Sequence, residues 1–456
     1  MATALLPLSV VILAAGKGKR MQSALPKVMH LVAGLPMVNH VLRSAAALQP
    51  QQIVVVIGPE MPTVRQAVLP WPSVIQSEQL GTGHAVQIGI SKLPLDKPQD
   101  ILILYGDCPL ITSETLHRLR QCLQEATTRN VGIVVLGMRL ANPTGYGRMM
   151  TENGILKEIV EERDTNAQQK TVNLCNAGIM VVQGQLLPKL LAKLRPTNAQ
   201  SEYYLTDIVR LAAENGQKTL VLETNPEEVM GVNTRGELAL VTKAMQKRLR
   251  CQAMDQGVSL VDPETVWLSW DTLFARDVII HPYVNIGLGV KIAEGVEIRS
   301  FSSVEGATIG AFSKIGPFAR LRPGTVLHEH VHIGNFVEIK NSEIDETTKI
   351  NHLSYIGDAN IGKSVNIGAG TITCNYDGMQ KYKTIIEDHS FIGSNTSLVA
   401  PVVIGEGAMV GAGSVITTDV PAKAMAVGRA PQVTKADGAV RYQLKKRVVT
   451  KNQEKK

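Results

Sequence analysis

Over its first 230 residues the chain alternates short apolar runs with longer amphipathic stretches. The runs at 8–13, 53–57, 101–105 and 132–137 read as buried strands, and 37–48, 84–93 and 113–126 read as helices. Such alternation predicts an α/β, Rossmann-like domain with a mostly parallel sheet and helices on both faces. From residue 278 the rhythm changes to six. Apolar residues fall at Val278, Val284, Val290 and Val296, again from Ile309 through Ile315, Leu321, Leu327, Ile333 and Ile339, then at Ile344, Ile350 and Ile356, and last from Ile392 to Ile416. Glycine often follows, as in Ile315-Gly316, Ile333-Gly334 and Ile404-Gly405. Period six fits neither a helix nor a paired strand. It predicts a parallel β-helix of hexapeptide repeats, each apolar residue pointing into a prism. Such repeats wind left-handed, against the usual crossover rule.

The phasing lapses over 373–387, where CNYDGMQKYKTIIE intervenes. A loop thrown out of a regular solenoid is a candidate site. Between the two patterns, 235–254 lacks proline, has one glycine and is rich in Leu, Ala, Met, Lys and Arg, predicting a connecting helix that ends at Gly257. The expected organisation is 1–234 for the α/β domain, 235–256 for the linker helix, 257–433 for the β-helix and 434–456 for a basic tail.

Charge refines this picture little. The net charge is +7, of which residues 434–456 supply +6, so the basic balance describes a solvated, disordered end rather than a basic face, with a contact to an acidic partner as the alternative. Aromatics at 4% leave few platforms for stacking nucleic-acid bases, so no nucleic-acid partner is expected. The apolar start has no basic segment before it, and no stretch reaches about 18 charge-free apolar residues, which predicts neither a signal peptide nor a membrane span. Five scattered cysteines without metal-ligand spacing point to reduced thiols and a cytoplasmic protein.

The first strand runs into Ala14-Ala15-Gly16-Lys17-Gly18-Lys19-Arg20-Met21, then Pro26-Lys27. This is neither a Walker loop nor GxGxxG. It still offers backbone N–H groups and positive charge to phosphates at a strand's carboxyl end. Downstream, QSEQLGTGH (76–84) carries amides suited to a base edge, and Asp107 follows a buried strand where a hard divalent cation would sit beside phosphate. In the back half, His328, His330 and His332 alternate. They read as one outward, solvated face, with a zinc site as the alternative. His352 lies close upstream of the inserted loop; by itself it reads first as a solvated or core histidine, with a base that takes an amine's proton near neutral pH as the alternative.

LAAGKGKRM, QSEQLGTGHA, YGDCPL, TGYGR, IVEERD and GVNTR, in this order and ahead of the β-helix, resemble the bacterial bifunctional N-acetylglucosamine-1-phosphate uridyltransferase/glucosamine-1-phosphate acetyltransferase family. The resemblance spans almost the whole chain. It implies acetyl-CoA-dependent acetylation of glucosamine-1-phosphate by the back half, then uridylyl transfer from UTP by the front half, feeding peptidoglycan and lipopolysaccharide precursors. It implies that Leu13, Ala14, Ala15, Gly16, Lys27, Gln76, Gly81 and Thr82 hold the nucleotide, that Gly147, Glu161 and Asn176 contact the sugar phosphate, and that Arg20 steadies the phosphates. Asp107 and Asn233 would take Mg²⁺. In the back half His352 would be the general base, helped by Glu338. Arg322, Lys340, Tyr355, Asn366 and Lys381 would bind the sugar phosphate, and Asn375, Tyr376, Ser394, Ala412 and Arg429 acetyl-CoA. A homotrimer is implied. Lys19 departs from the family's pattern, where Thr is expected.

Two other readings compete. In a nucleotide-sugar pyrophosphorylase with a regulatory β-helix, His352, Lys381 and the broken repeat would have no purpose. A non-catalytic assembly subunit would have damaged phosphate loops, whereas Lys27, Asp107 and Asn233 are all present.

Overall fold

The computed structural model describes residues 6–453, with side chains through Lys446. The chain packs as two compact units: 1–252 with 268–270, and 253–267 with 271–456.

The first unit is built on a nine-stranded sheet. Its strands, in chain order, are β1 (Leu8–Ala14), β2 (Gln52–Ile57), β3 (Ser73–Ile75), β4 (Asp100–Tyr105), β5 (Val131–Arg139), β6 (Arg148–Glu152), β7 (Ile155–Val160), β8 (Leu174–Gln183) and β9 (Lys218–Glu223). Their spatial order is β3-β2-β1-β4-β8-β5-β9-β7-β6. Parallel pairing runs through β3-β2-β1-β4 and recurs at β9-β5. The β4-β8 and β8-β5 pairs are antiparallel, as is the β6-β7 hairpin. β1 and β4 read as continuous apolar runs because helices cover both faces, and two separate apolar cores flank the sheet. Helices Met37–Ala46 and Ser113–Ala126 join one core, and Thr82–Ile90 and Asp207–Glu214 the other.

The connecting helix spans Arg235–Asp255. Its first half is no free strut: Val241 and Met245 pack with Met21, Val32, Met37, Leu110 and Val232 in a third core of this unit.

The second unit is a left-handed parallel β-helix of three sheets, ten-, eight- and eight-stranded, all of whose pairs are parallel. The three prism faces are here named by their strands. Face I includes His332–Asn335 and Lys349–His352, face II Glu338–Lys340 and Tyr355–Gly357, and face III Glu343–Ile344 and Ala359–Ile361. The period-six residues are buried without exception, from Val278 to Ile416. Each has a second inward residue: in the first run it lies two places on, as in Ile280, Ile286, Ile292 and Ile298, and in the later runs two places before, as in Ser313, Ala319 and Val337. At one corner Tyr283, Phe301, Phe318 and Phe336 stack ring on ring at 4.9–5.2 Å, each about half exposed.

Two expectations change. His328, His330 and His332 do not share a face, because a prism corner interrupts the alternation. His328 meets Glu343 at 2.9 Å, His330 sits at the corner with φ 58° against Phe312, and His332 opens face I. No group of three metal-ligating side chains occurs among the described residues. The basic end, expected to be solvated and disordered, is exposed in its described side chains beyond Gly438 but forms a helix over Gly438–Gln453.

Candidate functional site

In the first unit a cavity of about 430 Å³ opens at the carboxyl ends of β1 and β4, where a doubly wound sheet places its ligands. It is lined by Leu13, Ala14, Ala15, Gly16, Lys27, Gln76, Gly81, Thr82, Asp107 and Asn233. Sequence thus brought ten expected residues to one place. Gln79, one of the two amides expected to face a base edge, also lines it, as do Tyr105 and Glu202, which were missed. Gln79 stood in the same motif as Gln76: its amide donates to the Ala15 carbonyl and so ties that motif to the first loop.

Local geometry explains the glycines that matter. Gly18 has φ 64°, and a Cβ there would lie 2.6 Å from the Lys27 Cβ, so the turn closes only on glycine. Gly81 has φ 110° and would clash with the Tyr203 backbone at 2.7 Å. Leu205 N donates to Thr82 Oγ1 at 3.0 Å, and Gly83 N to Tyr203 O at 2.7 Å, which pins the start of helix Thr82–Ile90. Gln76 is buried, and its amide donates to Gly81 O at 3.1 Å.

At the cavity's polar end the Lys27 ammonium pairs with Asp107 Oδ2 and donates to Asn233 Oδ1 at 3.0 Å. Asn233 is held there by a capping box. Glu237 Oε2 accepts from the Asn233 and Thr234 N–H groups at 2.7 and 2.8 Å, while Glu237 N donates to Thr234 Oγ1 at 3.2 Å. Two oxygens therefore already converge on one positive charge. Hard oxygen donors so placed fit a divalent cation that is bound through few protein oxygens, phosphate and water.

Gly147, Glu161 and Asn176 form a second cluster outside that cavity lining. Asn176 N donates to Gly147 O at 2.8 Å, and Glu161 Oε1 accepts from Thr206 Oγ1 at 3.0 Å. Burial pushes the Glu161 carboxyl above its ordinary range, despite that hydrogen bond. Half-buried Tyr105 faces both groups: loss of solvent, then the charges of Glu161 and Asp107, raise its phenol well above normal. Arg20 stands exposed in the short turn Lys19–Met21, beside equally exposed Lys19.

In the second unit the expected residues other than Asn366 gather on face II and its two edges. Along one edge the Lys381 ammonium lies close to that of Lys340 and, with Arg322, depresses the Lys340 ammonium below its usual range. Three cations crowded together call for an anion. Glu338 is bound by Arg322 at 2.8 Å and lies 3.6 Å from Arg320. It is thus engaged as a counter-ion to arginine, and the hydrogen bond to His352 comes instead from Asn335, 2.6 Å from Nδ1. Tyr355 pairs in register with Glu338.

The inserted loop is ordered by its own bonds. Tyr376 and Lys381 form an antiparallel bridge, Tyr382 N donates to Asn375 O at 2.9 Å, and Asp377 Oδ1 accepts from the Met379 and Gln380 N–H groups at 2.7 Å. Its root is fixed by Asp358, which accepts from Asn375 Nδ2 and, at 2.6 Å, from Asn341 Nδ2. Burial alone would raise the Asp358 carboxyl. These two bonds and the charges of Lys381 and Lys340 outweigh it and hold the group below its ordinary range. Asp358 was missed in sequence, since nothing distinguished it from a turn residue.

At the other edge a ladder of corner hydrogen bonds runs Leu353 N to Asn335 O, Gly370 N to His352 O, Asn395 N to Ala369 O and Gly413 N to Ser394 O. His352, Ser394 and Ala412 therefore stand on one corner, and Arg429 donates to the Ala412 carbonyl. Coils repeat at about 4.8 Å, so this track extends roughly 14 Å beyond His352. Asn366 stands apart on face I, paired with Lys349 and Phe391.

The profile of the MobA-like NTP transferase domain matches residues 10–258, and that of the bacterial transferase hexapeptide (six repeats) matches 306–341 and 383–418. The protein named "Bifunctional protein GlmU" in Paramagnetospirillum magneticum is 48% identical over 435 residues, 95% of this chain and 96% of its own. Its namesake in Bartonella quintana is 46% identical over 451 residues, 98% and 99% of the two chains. The one in Azorhizobium caulinodans is 48% identical over 433 residues, 94% and 95%. With an NTP transferase domain followed by hexapeptide coils, and this identity sustained over nearly the full length, the chain belongs to the GlmU family of bifunctional proteins.

Proposed function

We propose that the two units divide a two-step synthesis: the β-helix acetylates glucosamine-1-phosphate, and the α/β unit joins the resulting N-acetylglucosamine-1-phosphate to UTP's uridylyl group. As a GlmU-family member the chain is a bifunctional N-acetyltransferase and uridylyltransferase, with acetyl-CoA and UTP as co-substrates and Mg²⁺ as cofactor. The residue roles below are our assignment.

In the α/β unit a sugar-phosphate oxygen attacks the α-phosphorus of UTP and pyrophosphate leaves. The reaction needs no protein nucleophile, so catalysis rests on orientation and charge neutralisation. Leu13 to Gly16, Gln76, Gly81 and Thr82 seat the nucleotide. Gly147, Glu161 and Asn176 orient the sugar. Lys27 and Arg20 meet phosphate oxygens. Asp107 and Asn233 would hold Mg²⁺, which when bound supplies further neutralisation of phosphate charge.

In the β-helix Arg322, Lys340 and Lys381 bind the phosphate, and Tyr355 and Asn366 the sugar. Acetyl-CoA follows the corner marked by Ser394, Ala412 and Arg429, with Asn375 and Tyr376 closing from the loop. The substrate nitrogen attacks the thioester carbon, its proton passes to His352 Nε2, the C–S bond breaks, and the departing thiolate takes that proton from the imidazolium to leave as free thiol. The domain bounds inferred from sequence, a cytoplasmic location and a homotrimer belong to this reading. The hexapeptide repeats support the trimer, and no described helix is long and apolar enough to cross a membrane.

The observation that carries the proposal is the pairing of two separate constellations: Lys27–Asp107–Asn233 in one unit, and His352 on the same prism as a three-cation edge in the other. Asp107→Ala should abolish UDP-sugar formation and spare thiol release from acetyl-CoA, while His352→Ala should do the reverse. Simultaneous loss of both activities in either folded variant would refute two independent sites.

A further inference from the structure

We propose that Asn335 is a positioning residue for acetyl transfer, fixing the His352 tautomer so that Nε2 presents its lone pair to the substrate amine. The inference rests on the assignment of His352 as the base.

His352 ends the strand Lys349–His352 and is exposed, so packing does not immobilise its ring. Asn335 ends the strand of the preceding coil and is its register partner. The Asn335 Oδ1 to His352 Nδ1 separation is 2.6 Å. An amide oxygen can only accept, so Nδ1 must carry the proton and Nε2 is left free. The next coil offers no alternative partner, since Ala369 occupies the equivalent corner position with no polar side chain.

The chemistry of the partner matters as much as its place. A carboxylate in that position would favour the imidazolium and remove base at neutral pH. An amide orients the ring without that charge. The charged and titratable groups on the surrounding elements agree with this. The cavity of about 480 Å³ beside His352 is lined by Arg299, His332, Asn335, Asn351 and the rings of Phe318 and Phe336, with no carboxylate. Lys349 lies on the base's own strand, and Lys314 is in register with His332 on the neighbouring one. Glu338, the carboxylate of the adjoining face, is taken by Arg322.

The test uses the full-length protein with glucosamine-1-phosphate and acetyl-CoA, following thiol release across pH. Asn335→Ala should lower kcat by about 10–100-fold, within the range that general-base catalysis supplies. KM for both substrates should stay within about threefold. Asn335→Asp should recover much of kcat and move the acidic limb of the profile to higher pH. In ¹⁵N spectra His352 should shift from the Nδ1–H form towards a tautomer mixture in Asn335→Ala, and uridylyl transfer should be unchanged in both variants. Wild-type kcat in Asn335→Ala would overturn the proposal, as would equal losses in both variants with an unmoved acidic limb. Retention of thiol release in His352→Ala is a different failure, that of the base assignment itself.

Discussion

Lys27 shows how one side chain can meet both carboxylate and phosphate. Its ammonium sits between Asp107 and Asn233, each partner only about 15% exposed for the ion pair, so it competes with any metal for the same oxygens. Lys27→Gln should therefore lose uridylyl transfer yet bind Mg²⁺ several-fold more tightly without nucleotide. About 1 kcal/mol of ion pairing corresponds to roughly fivefold, and titration calorimetry reads it directly. Glu161 has the opposite character. Its buried carboxyl has a raised pKa, so its contribution to stability is present below the unfolded value and lost as pH rises through the folded one. Glu161→Gln should accordingly be more stable than the parent at pH 7, with the gap closing as pH falls through the carboxylate range. Denaturation midpoints at pH 7 and pH 4.5 test the sign. Residues at the ends of apolar strands and in glycine loops were legible in sequence, because their place follows from local pattern. Glu202 and Asp358 were not, because their roles arise only when distant segments meet, and Tyr105, though it ends such a strand, reads there as one more core residue.

At the scale of elements, the capping box links a helix end to chemistry. Thr234 satisfies the Glu237 N–H in the first turn of the Arg235–Asp255 helix, and Glu237 reaches back to the Asn233 and Thr234 N–H groups, which holds Asn233 beside Lys27. Glu237→Ala should cost about 1 kcal/mol of stability in the α/β unit. It should also raise KM for UTP without touching thiol release, which a denaturation curve and the two assays distinguish. The six-residue rhythm made the β-helix legible strand by strand, since each apolar position is buried as its phase demands. The same rhythm misled over His328, His330 and His332, where alternation was carried across a corner. The lapse at 373–387 was a true signal. Its cause is a small hydrogen-bonded hairpin rooted on Asp358, not irregular chain.

For the whole molecule, two units with unlike chemistry predict separable metal dependence. Chelation by EDTA should abolish UDP-sugar formation and leave acetyl transfer intact, and added Mg²⁺ should restore the former. Loss of both on chelation would contradict the assignment of Asp107 and Asn233 as the only metal holders in the scheme. The antiparallel half of the front sheet was illegible in sequence, because apolar runs report burial and not strand direction. The helix at the basic end was likewise hidden behind its charge. The prism's corner ladder has a wider consequence. Each coil bonds only to the one before and the one after, so the height of this tower is decoupled from what it carries. Splicing in or excising one complete three-strand storey below Phe318 would raise or lower the acetylating floor as a unit, every side chain still facing the same compass point. Catalytic storeys of this kind could be transplanted between towers of different height.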